Sequence, residues 1–458
     1  MAKKLGVIVL IKLAINNQGE VYTINNDNKI ELLNNSIISK SINLSLIDKC
    51  LKPKSMIMVN KLTGDIIFET SELYPQHFYP LTILDYANAI KRGMKSNVDN
   101  LPILSISTKD YPYCDFGCRE CLADPTRMWG IKNLDKCVLE LDEYKKILKE
   151  IARYSKARGC DSVRLEMCGE GNPDMYKHRA EIIKFAKEEC NMGVVYISTG
   201  SRMSEDIMEA LAKYAYYIRI SLPGISKEAY EYYSNQPGKE KFTYDDAMKL
   251  LKKLCALRKK YKRENELMIG VRTCIRKKNE GHYIELTEKL GKMGVNSFQM
   301  VKVLTDHIED KKDIELSEKT QEDLIKISEC YRDLGLQHIQ TPKLLDKLYI
   351  DREFVVNKKP TKCFSSIVSP ILYGNSLIVC IHWDKIRDKD NAYYGILTGK
   401  ENELEELMQG KNAVKIRSQY PQKCHDCCAL NDNLMLEVIR SNLALFNDVD
   451  IIDFMLVY

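Results

Sequence analysis

The segment Cys114-Asp-Phe-Gly-Cys118-Arg-Glu-Cys121 sets three thiols at C-x3-C-x2-C spacing. Thiolates hold iron–sulfur clusters and zinc, and most clusters take four cysteines. Three on one tight loop supply three corners of a cubane and leave one iron open. An open iron can chelate a substrate or cofactor and pass it an electron. The competing reading is zinc, but zinc sites usually pair C-x2-C units, and a lone three-cysteine loop brings too few ligands. A second set lies downstream: Cys363, Cys380, and Cys424-His-Asp-Cys427-Cys428. Cys363, Cys380, Cys424 and Cys427 make four ligands, enough to close a site, with Cys428 as a spare. Taken alone, that set reads first as structural zinc.

The elements that must position these residues follow from periodicity. From about residue 101 apolar runs of strand length alternate with amphipathic stretches of period 3.6. The predicted strands cover 103–107, 162–167, 194–198, 217–222, 268–275 and 297–303. The predicted helices between them cover 141–154, 180–189, 205–214, 244–261 and 283–292. Alternation of this kind implies an α/β fold with parallel pairing and right-handed crossovers. Six strands suit a partial (β/α)6 barrel better than a closed eight-stranded one. Functional residues of such folds sit in loops after the C-terminal strand ends. The first cysteine loop falls there, directly after the first strand.

Before this region, residues 1–100 lean towards strands. Short apolar runs at 7–13 and 56–60 are separated by turn signals such as Asn16-Asn17-Gln18-Gly19 and Thr63-Gly64-Asp65, and a helical pattern covers 81–94. After it, residues 311–360 form a helical bridge (317–334 being the helical stretch), 361–430 a cysteine-rich region, and 431–458 a tail with one more helix over 434–445.

Composition narrows the function classes. The 69 basic and 64 acidic residues leave a net charge of +5, too small and too dispersed to point to nucleic acid. Lys-rich stretches such as 252–262 read as solvated helix faces. No run approaches the ~18 apolar residues of a membrane span. Lys12 interrupts the apolar N-terminal run and no small-residue cleavage site comes after it, so a strand is the better reading than a signal peptide. Sixteen cysteines in 458 residues therefore belong to a cytoplasmic chain that uses thiols for metal, since disulfide-dense proteins are normally small and secreted.

A C-x3-C-x2-C loop after the first strand of a partial (β/α)6 barrel resembles the radical S-adenosylmethionine superfamily, over about residues 101–310. The resemblance implies a [4Fe–4S] cluster on Cys114, Cys118 and Cys121. Its open iron would bind the amino and carboxylate groups of S-adenosylmethionine, with electrons from a flavodoxin- or ferredoxin-type donor. After the second strand, Gly169-Glu170-Gly171 resembles the superfamily's Gly-Gly-Glu segment, and glycines suit close backbone approach. Ser198, ending the third strand, stands where relatives often have Thr-Asn-Gly. Ser221 resembles a cofactor-contacting serine and shares a strand face with Arg219, as Arg272 does with Cys274. One departure is Glu120, where relatives usually carry an aromatic residue near the adenine; here Phe116 is the aromatic of the loop.

The downstream cysteines resemble the auxiliary-cluster region called SPASM, and its shorter form, twitch, fits because no ligands come after Cys428. That implies a second, fully ligated [4Fe–4S] cluster on Cys363, Cys380, Cys424 and Cys427, able to accept an electron from a substrate radical. Most remaining cysteines read as small buried hydrophobes. Cys274 is different, because its strand position faces the barrel, where a thiol can return a hydrogen atom to a substrate radical. By resemblance the leading function is hydrogen abstraction from a ribosomally made peptide, giving a crosslink, thioether or epimerised residue. The competing functions are a dehydrogenase or epimerase acting on a sugar or aminocyclitol alcohol, and a non-catalytic iron–sulfur electron carrier.

Overall fold

A computed structural model describes residues 12–15, 21–24, 30–32, 55–60, 66–70, 100–118, 121, 138–168, 171–237, 241–302, 311–340, 363–379, 393–419 and 449–457. The chain divides into two units: Met1–Ser96 with Leu434–Tyr458, and Asn97–Asn433.

The first unit is an antiparallel sheet. Its strands are β1 (Lys12–Ile15), β2 (Val21–Ile24), β3 (Ile30–Leu32), β4 (Ser55–Asn60), β5 (Ile66–Thr70) and β16 (Val449–Val457). The order is β3-β2-β1-β16-β4-β5, so the last strand of the chain lies between strands from its beginning. The tail was expected to add a helix over 434–445, which lies outside the described residues. Beyond it the segment Val449-Asp-Ile-Ile-Asp-Phe-Met-Leu-Val457 is rich in β-branched and aromatic residues and forms a strand. The helical pattern at 81–94 also lies outside the described residues.

The second unit carries the larger, ten-stranded sheet. Its strands are β6 (Ser105–Lys109), β7 (Arg164–Cys168), β8 (Gly193–Ser198), β9 (Ala215–Leu222), β10 (Met268–Ile275) and β11 (Ser297–Lys302). They pair parallel in sequence order, each with the next. Two short strands extend the parallel run: β12 (His338–Gln340) beside β11 and β13 (Ile371–Tyr373) beside β6. The hairpin partners β14 (Ser376–Ile378) and β15 (Tyr393–Ile396) are added antiparallel. Three residues are too few to show a period, so neither β12 nor β13 stood out in the sequence.

Helices α1 (Leu141–Lys156), α2 (Arg179–Glu188), α3 (Glu205–Tyr214), α4 (Lys227–Ser234), α5 (Tyr244–Lys260), α6 (Tyr283–Met293) and α7 (Glu318–Cys330) lie between the strands. Their starts are chemically marked. Ser204, Ser226 and Ser317 accept the third backbone N–H of their helices, and Thr243 with Asp246 forms a reciprocal capping box.

The two faces of the sheet differ. Along β7, Leu165 and Met167 are fully buried while Arg164, Glu166 and Cys168 are half-buried. The pattern continues outward in Ile106, Ile218, Ile220, Val271 and Phe298, all fully buried on the apolar face. Sheet register places Ser107, Glu166, Val195 and Tyr217 in one row of the opposite face, and Ser221, Arg272 and Gln299 in another. One face is thus hydrophobic core and the other is polar.

Candidate active site

The cysteine loop leaves β6 through a buried ion pair. Asp110 and Arg179 approach to 2.8 Å with side chains 2 % and 0 % exposed. Arg179 also donates through Nε to the Pro173 carbonyl, 2.9 Å. One arginine at the start of α2 therefore ties the exit of β6 to the segment after β7. Behind it, Tyr144 of α1 donates to Thr108 Oγ1, 3.1 Å.

The loop is pinned at both sides. The Gly117 amide donates to the Ser234 carbonyl (3.2 Å), and Asn235 Nδ2 donates back to the Gly117 carbonyl (3.0 Å). A Cβ at Gly117 would sit 2.6 Å from the Asn235 carbonyl oxygen, so only glycine admits this contact. Asn235 adopts the left-handed conformation that ends α4. Phe116 is buried edge-on against Tyr230, centroids 6.4 Å apart. The loop's aromatic residue is therefore an anchor in the core. Glu120 lies outside the described residues.

The thiols answer to one another. Burial pushes Cys118 up to about 12, and the neighbouring Cys121 and Cys114 add to the shift, while Arg276 opposes it. Cys114 is exposed as a residue, but loss of water around its thiol still raises it to about 11; the Phe116 amide, donating to its Sγ at 3.4 Å, acts against this. Without a compensating cation these two thiols hold their protons at neutral pH. A cluster gives each thiolate its own iron. Three soft, mutually coupled thiols on one loop fit that group.

The segment after β7 meets the cysteine loop backbone to backbone. A Cβ at Gly171 would lie 2.3 Å from the Tyr113 carbonyl oxygen, 2.5 Å from Pro112 C and 2.6 Å from the Tyr111 carbonyl oxygen. The next residue, Asn172, donates its amide to the Tyr113 carbonyl at 2.6 Å and its Nδ2 to Asp115 Oδ1 at 2.9 Å. The loop after β8 joins through Ser201, which donates to Asp115 Oδ1 (3.0 Å), and Arg202, whose Nε meets Asp115 Oδ2 at 3.1 Å. Below them Asp174 is fully enclosed. Burial raises its carboxyl, and the Ser198 and Tyr196 hydroxyls, donating at 2.6 and 2.8 Å, pull it back. Loops from three successive strand ends thus form one hydrogen-bonded cradle.

The residues singled out in the sequence have different places in this arrangement. Cys114, Cys118, Cys121 and Gly171 meet in the cradle, while Gly169 and Glu170 lie outside the described residues. Ser198 is buried, donating to Asp174 and accepting from the Gly200 amide at 2.8 Å, so its hydroxyl braces the loop from behind. Ser221, Arg272 and Cys274 are half-buried on the polar face, with Ser221 and Arg272 paired in register. Cys363 is half-buried; its carbonyl accepts from Ser366, 2.6 Å. Cys380, Cys424 and Cys427, the rest of the second set, lie outside the described residues.

The polar face also holds residues that no motif marks. Lys109 donates to Cys168 Sγ at 3.4 Å, Ser107 to Glu166 Oε2 at 2.6 Å, and Arg164 to Ser105 at 3.0 Å. Gln299 accepts from Arg219 at 3.5 Å and donates to Tyr217 at 3.2 Å. These contacts cross β10 where it carries Gly270, at which a Cβ would lie 2.7 Å from the Tyr217 hydroxyl and 2.4 Å from Ser297 Oγ. The alternation Arg164-Leu-Glu-Met-Cys168 carried the same period-two signal that singled out Arg219 and Arg272.

No protein-family model and no curated protein matches the chain. Among solved structures, Streptococcus suis SuiB has a TM-score of 0.51 at 14 % identity, over 92 % of this chain and 95 % of that one. SuiB bound to its precursor peptide SuiA gives 0.49 at 14 %, over 92 % and 94 %. Native anSMEcpe with bound AdoMet and the Cp18Cys peptide gives 0.47 at 12 %, over 76 % and 99 %. The first likeness is one of fold.

Proposed function

We propose that this chain is a radical S-adenosylmethionine enzyme that abstracts a hydrogen from a peptide substrate. The observation that carries the proposal is the placement of Cys114, Cys118 and Cys121 at the end of the first strand of a sequentially ordered parallel sheet, clamped by the loops after β7 and β8. A [4Fe–4S] cluster held there would supply an electron for reductive cleavage of S-adenosylmethionine to methionine and a 5′-deoxyadenosyl radical.

The chain's own residues do the rest. Asp115, held by Asn172, Ser201 and Arg202, fixes the loop that presents Cys114. Gly171 lets the backbone after β7 press on that loop, leaving the segment around it to meet the cofactor's amino group. Ser221 and Arg272 project from the polar face beside each other and are the proposed further contacts. Cys274, two residues past Arg272 on that face, is proposed to return a hydrogen atom if the outcome is epimerisation. Cys363, Cys380, Cys424 and Cys427 are proposed to hold a second, twitch-type cluster, and a flavodoxin- or ferredoxin-type protein to deliver electrons.

Support for a peptide comes from the shared fold with SuiB, a protein solved with a precursor peptide bound. The test is anaerobic loading with iron and sulfide, then measurement of dithionite-dependent release of 5′-deoxyadenosine. Alanine at positions 114, 118 and 121 together should abolish both the cluster and the product. Full iron content in that triple variant, or no 5′-deoxyadenosine from a loaded parent, refutes the proposal.

A further inference from the structure

We infer that Arg276 is a fixed countercharge at the cysteine loop and that, with its partner Asp313, it sets the reduction potential of the proposed cluster. Strands β6 to β11 run parallel, so the end of β10 lies at the same edge of the sheet as the cysteine loop after β6. Arg276 is the first residue past β10. Its backbone is still extended (φ −151°, ψ 158°), so it continues the alternation of Gly270, Arg272 and Cys274. The inference rests on the reading that Cys114, Cys118 and Cys121 hold a cluster.

The end of α4 joins this arginine to the cysteine loop. Arg276 lies over the ring of Tyr233, 4.4 Å from its centroid. The next residue, Ser234, accepts the Gly117 amide at 3.2 Å, and Asn235 donates to the Gly117 carbonyl. Gly117 is the chain neighbour of Cys118. The Tyr233 hydroxyl donates to Asp313 Oδ1 at 2.6 Å and accepts from the Lys278 amide at 3.2 Å. Asp313 Oδ2 lies 4.0 Å from Arg276 Nη1, with the two side chains 15 % and 10 % exposed, so water and salt screen them poorly. Among the charges acting on the Cys118 thiol, Cys121 and Cys114 oppose the thiolate and Arg276 favours it. A guanidinium keeps its charge at every working pH. One-electron reduction makes a cluster more negative by one charge, which a nearby cation favours. Reduction potentials of such clusters follow net charge and the groups around the sulfurs. Asp313 offsets part of the arginine's charge, so removing either member of the pair shifts the potential in opposite directions.

Anaerobic redox titration of the iron-loaded full chain, followed by electron paramagnetic resonance and run without S-adenosylmethionine, tests the inference. The relevant signal is the one that changes when S-adenosylmethionine is added afterwards. Arg276→Gln should make reduction about tenfold less favourable, a shift of ~59 mV to lower potential for one electron. Arg276→Lys keeps the charge and should stay within about twofold of the parent. Asp313→Asn should make reduction about threefold or more easier, and it carries the test if Arg276→Gln takes up no iron. A merely structural role would change iron content or Tm without this ordered shift of potential. The inference is overturned by a parental potential in Arg276→Gln, by a Lys variant that behaves like the Gln variant, or by an unchanged or lowered potential in Asp313→Asn. Loss of S-adenosylmethionine affinity in Arg276→Gln at an unmoved potential also overturns it, since the arginine would then be a cofactor contact. A parent that takes up no cluster fails the functional reading first, whereas a loaded parent whose potential ignores these variants fails this inference alone.

Discussion

Replacing Gly171 by alanine should move the cysteine loop without touching a cysteine. The added Cβ would meet three backbone atoms of residues 111–113 at 2.3–2.6 Å, where ordinary contact begins at 3.4 Å. Relief therefore requires a backbone displacement of about 1 Å, because no flexible side-chain end is available to swing aside. Overpacking costs about 1–3 kcal/mol, and a backbone obstacle puts this case near 3. For a unit of this size that corresponds to a fall of about 5 °C in Tm. The displaced atoms end one residue before Cys114. A misplacement of ~1 Å at a reacting geometry costs about 100-fold in rate, so 5′-deoxyadenosine formation should drop far more than stability does. Gly281→Ala is the matched control: its φ of +82° strains any side chain, yet nothing lies within 4 Å of the new Cβ. It should cost about 1–2 kcal/mol with iron content and turnover unchanged. A Gly171→Ala protein with parental iron content, turnover and Tm would show that the contact does not position the loop.

Two further perturbations read the same cradle. Arg179→Leu strips Asp110 of its buried partner and should cost about 3–5 kcal/mol in urea unfolding, with iron loading lowered; a loss below 1 kcal/mol would mean the pair is not enclosed. In the unloaded protein, the folded state keeps the protons of Cys114 and Cys118 up to about 11 and about 12, whereas the unfolded chain releases them near 9.0. Their contribution is whole below pH 9 and is lost as pH rises through that window. The parent's Tm should therefore fall more steeply between pH 9 and 11 than that of the Cys114→Ala, Cys118→Ala double variant, and equal slopes would refute the burial of these thiols.

Much of the second unit was legible because its signals are local. The strand at Met268–Ile275 and the helix at Glu205–Tyr214 fall where period and length alone put them, and the other predicted strands and helices of the parallel sheet shift by a few residues at their ends. Cys114, Cys118 and Cys121 were legible because ligand spacing on a loop needs no tertiary knowledge. The bracing groups were not, since Asp115 meets Asn172, Ser201 and Arg202 across 57, 86 and 87 residues of chain. Ser198 shows the opposite limit. Its position at a strand end was readable, but only the buried Asp174 beside it reveals that its hydroxyl is spent on holding the loop. The last strand, Val449–Val457, pairs with both β1 and β4, and no local pattern announces a partner more than 380 residues away.

The bracing and the polar face use different sides of the same strands, and this separation has a consequence. Asp174 and Tyr196 bond on the apolar side, with Thr108 and Tyr144 beside them, and Asp110 reaches back to Arg179. Glu166, Cys168, Arg219 and Arg272 alternate with such positions and face the other way. A strand residue on the polar face can change charge without altering the contacts that fix the cysteine loop. Holding the cysteine loop and making contacts on the polar face are then separable within single strands, one residue apart. Reversing charge on that face with Arg272→Glu should therefore weaken S-adenosylmethionine binding, measured by calorimetry on the loaded protein, while leaving iron content at the parental level. Loss of the cluster in that variant would mean that the two faces are coupled and that no such separation exists.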